Sequence, residues 1–251
     1  MFGLSVAPAS AQEEAAPRRT RVVLGPQLVP SFPGSSDHRL QPLVDVARAR
    51  GDAPFEFTAA DESFGFPAFS QSGFSVGPSL SFEGSRPARD VGGELPRIGN
   101  TVEVGGFAQY QLRPDFRVRV EGRRGLGGHR GWVGAVSADY IARRADDYLV
   151  SLGPRVTFAD GRHHRAFFGV APQDAAPSGL PAFRPEGGVQ AVGAATTVLR
   201  QLTRRWGIYG YARYDRLVRD AGRSPVVRAF GSRDQVSGGV ALSYTFGGRD
   251  R

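Results

Sequence analysis

The feature that most constrains this chain is a period-two alternation held over segments of ten or eleven residues. From Thr101 to Leu112, one face carries Val102, Val104, Gly106, Ala108, Tyr110 and Leu112, and the other carries Glu103, Gly105, Phe107, Gln109 and Gln111. Successive side chains of a strand point to opposite faces, so the pattern describes a β-strand with one apolar and one polar side. Globular strands average about five or six residues, whereas a tilted strand needs about nine to eleven to cross a bilayer. Length therefore favours a membrane barrel over a soluble sandwich.

Other segments repeat the pattern. Phe116, Val118 and Val120 oppose Arg117, Arg119 and Glu121, and Arg113-Pro114-Asp115 joins this segment to the preceding one as a hairpin turn. Further strands are expected at Trp132 to Ala142, Tyr148 to Phe158, His164 to Val170, Gly188 to Leu199, Trp206 to Leu217 and Gln235 to Phe246. Weaker alternation marks Arg21 to Val29, Leu40 to Ala47, Phe55 to Ala59 and Phe74 to Phe82. Helices fit poorly, because 34 Gly and 18 Pro interrupt nearly every window. The expected fold is all-β: a single antiparallel transmembrane barrel of about twelve strands, with ten as the alternative.

Periodicity alone does not say which face is inside, since a soluble barrel buries its apolar face. Two features favour the membrane sense. The polar face carries both charges, at Glu103, Arg117, Arg119, Glu121 and Arg155, which can pair across a confined lumen. Aromatics gather near strand ends, at Trp132, Tyr140, Tyr148, Phe158, Trp206 and Phe246, where interfacial girdles lie. In the last segment, Val240, Leu242, Tyr244 and Phe246 alternate with Gly239, Ala241, Ser243 and Thr245. Leu242, Tyr244 and Phe246 are the expected closing and insertion signal, followed by a polar tail at 247–251. At the other end, Met1 to Ala11 closes with Ala9-Ser10-Ala11 before Gln12, like the small-residue cleavage site of a secretory signal. Residues 1–11 are read as a signal remnant, 12–20 as a disordered tail and 21–246 as the barrel.

Composition removes other classes. With no Cys, disulfide scaffolds, zinc fingers and Cys nucleophiles are excluded. A mean hydropathy of −0.28 and the lack of an apolar run of about 18 residues argue against a helical membrane protein. All 32 cationic residues are Arg, spread from Arg18 to Arg251 among 24 acids. That spread fits the coding bias of a GC-rich genome and a solvated or ion-paired surface, not a nucleic-acid interface. Phosphates of anionic lipid or lipopolysaccharide are the natural counter-charges.

A search for chemistry finds no Gly-x-Ser-x-Gly elbow. Ser178 sits in a Pro/Gly-rich connection, and Asp215 and Asp220 neighbour arginines that would pair with them. His163 and His164 read as a polar hairpin turn, as do His129 and His38. Gly122 to Gly128 lacks a phosphate-loop pattern. The expectation is a protein that is not an enzyme and uses no metal or cofactor.

Several of these loop segments, taken in order, resemble the MipA/OmpV family of outer-membrane proteins. The residues are Gly25-Pro26, Pro33-Gly34-Ser35, Gly73 to Leu80, Ser151 to Arg155, Phe168-Gly169-Val170 and Ser178 to Phe183. Tyr214 to Val227 (YDRLVRDAGRSPVV), with Gly231-Ser232 and Gln235, is the most specific. The resemblance implies a monomeric barrel in the outer membrane of a Gram-negative bacterium. It also implies a scaffold that links a murein lytic transglycosylase to a murein synthase, although other members are described as adhesins or immunogenic surface proteins. No catalytic residue carries over. The competing function is a small outer-membrane pore, favouring anions through its lumen arginines. Lumen width discriminates the two, since about eight strands fill with side chains and 16 or more leave a channel.

Overall fold

The computed structural model describes residues 17–247. The signal remnant, most of the N-terminal tail and residues 248–251 lie outside that range. Strands run as β1 (Arg18–Pro30), β2 (His38–Arg50), β3 (Phe64–Gly65), β4 (Phe69–Gln71), β5 (Phe74–Glu83), β6 (Thr101–Arg113), β7 (Phe116–Gly127) and β8 (Trp132–Arg144). They continue as β9 (Tyr148–Asp160), β10 (Gly187–Gln201), β11 (Trp206–Leu217) and β12 (Asp234–Phe246). All belong to one curled antiparallel sheet in the order β2-β1-β12-β11-β10-β9-β8-β7-β6-β5-β3, with β4 also on β5. β12 joins the chain ends by pairing Thr20 with Phe246, Val22 with Tyr244 and Leu24 with Leu242 against β1. The seam lies between β2 and the β3–β5 edge, and Arg39 of β2 reaches Glu83 of β5 across it at 3.5 Å.

Two expected strands are something else. Phe55 to Ala59 takes no place in the sheet: after β2 the chain turns at Gly51 (φ +55°) and residues 52–63 fold into the barrel. His164 to Val170 begins in a helix, α1 (Gly161–Phe168), and ends in an isolated bridge from Val170 to Phe183. Asp160 starts α1 by accepting from the Arg162 and His163 N–H groups at 3.0 and 2.9 Å, a local device that outweighs alternation. The short strands β3 and β4 bring the sheet to twelve, ten of them with 10–15 residues.

Alternation sorts the faces. On β12, Leu242 is 56% exposed on the outside while Ser243 is 0% exposed on the inside. Tyr140, Tyr148, Trp206 and Phe246 form an outer aromatic belt near the end that carries both chain termini, with Trp206 and Tyr244 4.7 Å apart edge to face. Phe82, Trp132 and Phe158 face outward near the opposite end. Gly25 is required where β1 crosses β12, because a Cβ there would meet the Val240 carbonyl oxygen at 2.1 Å.

The two ends differ. Connections 114–115, 145–147 and 202–205, at the terminal end, are tight turns. The opposite end carries the long connections, with α1, α2 (Pro172–Ser178), α3 (Arg219–Arg223), α4 (Pro225–Phe230) and a 3-10 turn at Ala88–Val91. These fold inward as a roof with its own apolar core, which includes Phe32, Val91, Leu95, Phe167, Phe168 and Val226. Ser224 caps α4 and donates its hydroxyl to the Phe168 carbonyl at 2.8 Å, tying α4 to α1. Gln235 fastens the first loop to β12, accepting from the Gly34 N–H and donating to the Ser35 carbonyl, both at 3.0 Å. The motif from Tyr214 to Val227 therefore builds the end of β11 and much of the roof.

Candidate functional site

The inward faces of β6, β7, β8, β9 and β11 carry the expected charges and several more. Strand register sets Arg117 directly opposite Asp139, and they pair at 2.9 Å. Asp139, 0% exposed, also accepts from Arg155 at 2.8 Å. Arg119 donates to Glu121 at 3.0 Å and lies over the Phe107 ring at 3.7 Å, the one large apolar group on the inner face of β6. Arg123 pairs with Glu103 at 2.9 Å and also contacts Glu121. All five lumen charges named from alternation, Glu103, Arg117, Arg119, Glu121 and Arg155, thus sit in this layer. Leu242, Tyr244 and Phe246 lie outside it, on the outer face of β12.

The partners that complete the layer come from the segment 52–63. It is anchored low in the barrel, where the Phe55 N–H donates to Asp146 at 3.0 Å and its carbonyl accepts from Arg143 at 2.9 Å. Arg19 and Arg21 stack on the Phe55 ring at 4.9 and 4.6 Å. Phe57 and Ala59 then enter an apolar layer with Val23, Leu43, Ile141, Leu199 and Tyr209, and the Phe57 carbonyl accepts from Arg117 at 3.1 Å. Above this, Asp61 takes both arms of Arg155, at 2.7 and 3.1 Å, and Arg213 at 3.1 Å. Glu62 is bound by Arg117, with Arg119 3.8 Å away, and Ser63 donates to Glu121 at 2.6 Å. Buried ion pairs of this kind hold only when each charge is matched, since an unpaired one bears the full cost of desolvation.

Between this layer and the roof lies a cavity of about 320 Å³, lined by Arg39, Asp61, Glu83, Glu103, Arg123, His163 and Arg213 among others. His129 packs beside two of its lining residues, Glu103 and His163. Its Nδ1 accepts from the Gly131 N–H at 3.0 Å, so the ring proton sits on Nε2 and is donated to Glu103, also at 3.0 Å. His163 meets the His129 ring edge-on at 4.7 Å. Far from forming polar turns, His129, His163 and His164 are buried. Burial lowers His163 to about 3 and depresses His164 as well, so both are neutral at physiological pH. Arg86, also buried in the roof, donates to the carbonyls of Phe167 and Pro96 at 3.0 and 2.9 Å, and burial lowers it to about 10.

The other candidate chemistry disperses. The Ser178 hydroxyl donates to the Asp174 carbonyl at 2.6 Å within α2. Asp215 pairs with Arg213 at 2.5 Å, and Asp220 accepts from the Glu186 N–H at 3.0 Å. His38 lies at the rim against the Val236 carbonyl. Among the described residues, no group of three His, Asp or Glu converges as a metal site.

Sequence reasoning missed Asp61, Glu62, Arg213 and His129. The available signal was an adjacent acid pair directly after a short apolar alternation, in a chain with a net charge of +8.

A barrel of long strands, apolar outside, belted with aromatics and charged within, defines an outer-membrane β-barrel. The model of the family described as MltA-interacting protein MipA matches residues 22–246, and the chain belongs to that family. A search of curated protein sequences finds no significant match. Among solved structures, the chain is similar to the KdgM porin, at 12% identity over 92% of this chain and 99% of that one, with a TM-score of 0.39. It is similar to the NanC porin at 9% identity, over 92% and 99%, with a TM-score of 0.42. An outer membrane channel from Pseudomonas putida F1 shares 10% identity, over 96% and 100%, with a TM-score of 0.39.

Proposed function

We propose that this outer-membrane barrel works by binding, as a scaffold for murein assembly, and has no catalytic turnover of its own. The observation that carries the reading is the occupancy of the lumen by the chain's own residues 52–63 beneath a packed roof, which obstructs passage through the barrel and leaves the surfaces for protein partners. Barrels of this class keep short turns on the periplasmic side and longer loops outside. On that rule the turns at 114–115, 145–147 and 202–205 face the periplasm and offer the surface for a lytic transglycosylase, the partner in the family's description, and for a murein synthase. Outer-membrane lipid and lipopolysaccharide surround the apolar band, and the barrel acts as a monomer.

The test pairs two measurements on the refolded full chain. A scaffold gives little conductance in planar bilayers and retains a lytic transglycosylase on an affinity column, and substitutions in the three short turns abolish retention. Large, stable conductance without retention overturns the reading in favour of a pore. Hydrolysis of murein or lipid by the purified protein overturns both.

A further inference from the structure

The lumen arginines are bound in an unusual way for residues of a barrel wall, because two of their five carboxylate partners do not belong to the wall. Arg117 and Arg119 of β7, Arg155 of β9 and Arg213 of β11 face only three wall acids within the layer: Asp139, Asp215 and Glu121. Glu121 is shared with Arg123. Asp61 and Glu62 supply the remaining negative charge. Arg155 grips Asp61 with two nitrogens on two oxygens, the fork geometry with which guanidinium recognises free carboxylates and phosphates. Each of the two acids is approached by two arginines.

Residues 52–63 have no ladder pairing with the sheet. Their ties to the wall are ion pairs, side-chain hydrogen bonds such as Gln109 to Glu56 and Ser63 to Glu121, one backbone bond from Ala53 to Arg50 beside the turn, and the burial of Phe55, Phe57 and Ala59, so no strand pairing would have to break for the segment to leave. If it does, four arginines remain against three wall acids, and an entering anion would match the excess positive charge. Space adjoins the site. A void of about 30 Å³ lies among Asp61, Glu62, Arg119, Arg155 and Arg213, and the larger cavity of about 320 Å³ reaches Asp61 and Arg213 from above.

We infer that Arg117, Arg119, Arg155 and Arg213 form a binding site for a small di-anion, dicarboxylate or phosphate in chemistry, which Asp61 and Glu62 fill as an internal ligand in this structure. The wall supplies the guanidinium forks and the segment acts as a tethered competitor. The site goes beyond the scaffold reading and does not depend on it.

The experiment removes the competitor's charge and asks whether an added anion takes its place. The Asp61→Asn/Glu62→Gln variant and the unaltered chain are refolded in detergent, and each is followed by heat-modifiability against temperature. Inorganic phosphate or succinate is added in separate arms, with sodium chloride at matched ionic strength as the control. The variant's melting temperature is expected to rise by about 5 °C at a di-anion concentration a hundredfold above its Kd, and that of the unaltered chain by much less. Adding Arg155→Gln to the variant should remove the rise. A response confined to one probe identifies the ligand class as phosphate or dicarboxylate, and recovery of the folded variant only when a di-anion is present also supports the site. An equal response to chloride, or an equal rise in the unaltered chain, overturns it. If the double variant does not refold under any of these conditions, Phe57→Ala decides, since it loosens the segment's apolar anchor and keeps both acids. No di-anion-specific rise in that variant overturns the proposal.

Discussion

Arg117 in the lumen and Phe168 in the roof are equally inaccessible, yet their burial rests on different physics. Arg117 donates to Glu62, Asp139 and the Phe57 carbonyl, and its charge is tolerable only while all of them are present. The Phe168 side chain is held by apolar burial, beside the His164 ring at 5.5 Å and among the apolar groups of α1, α3 and α4. The lumen layer joins strands through charges that come as a set, whereas each roof residue adds its own increment of transfer free energy. The lumen should therefore fail as a unit and the roof by degrees.

The largest effect is expected from breaking the set. Arg117→Ala leaves Glu62 and Asp139 partly unmatched and should cost about 3–5 kcal/mol, read as a lower melting temperature for the heat-modifiable barrel. An unchanged melting temperature would mean that water, not Arg117, satisfies these acids.

Phe168→Ala should remove about 3 kcal/mol or more, but from the roof alone. The expected readout is faster proteolysis in connections 161–186 and 218–233 with the barrel's own melting temperature nearly preserved. A large fall in that temperature would show that roof and barrel unfold together.

Acid sharpens the contrast. Because burial holds His163 near 3, it stays neutral in the packed roof while an opened roof binds its proton below about pH 6.5. The opened state then carries more protons, so roof stability is lost as pH falls from about 6.5 towards 3, by about 2 kcal/mol at pH 5 from this residue. His164 shifts in the same direction and adds to the loss. Hydrogen exchange of the roof amides between pH 7 and 5, corrected for intrinsic rates, checks this, and pH-independent protection would refute it.

The smallest predicted effect is Ser224→Ala, which removes the cap of α4 and its hydrogen bond to α1 for about 1–2 kcal/mol. Its loss should be seen in roof proteolysis and not in the lumen.

Strand alternation made the wall legible, and with it five of the lumen charges and the lipid-facing Leu242, because side-chain direction in a strand follows from local geometry and needs no partner. The same rule misread His164 to Val170, where α1 gathers His163, His164, Phe167 and Phe168 on its buried side; short apolar runs satisfy both periods, and the Asp160 cap decides. It also misread Phe55 to Ala59, since alternate burial of Phe55, Phe57 and Ala59 suits a lumen as well as a wall.

By itself, then, the sequence determined an all-β barrel with its outer face and aromatic belts, the parts governed by neighbouring residues. Only the tertiary structure decided what fills the barrel. Asp61 meets Arg155 across 94 positions of the chain and Arg213 across 152, and His129 reaches Glu103 across 26. Such pairings depend on curling the sheet, which brings distant strands to one interior where burial forces each charge to find whichever partner the fold delivers.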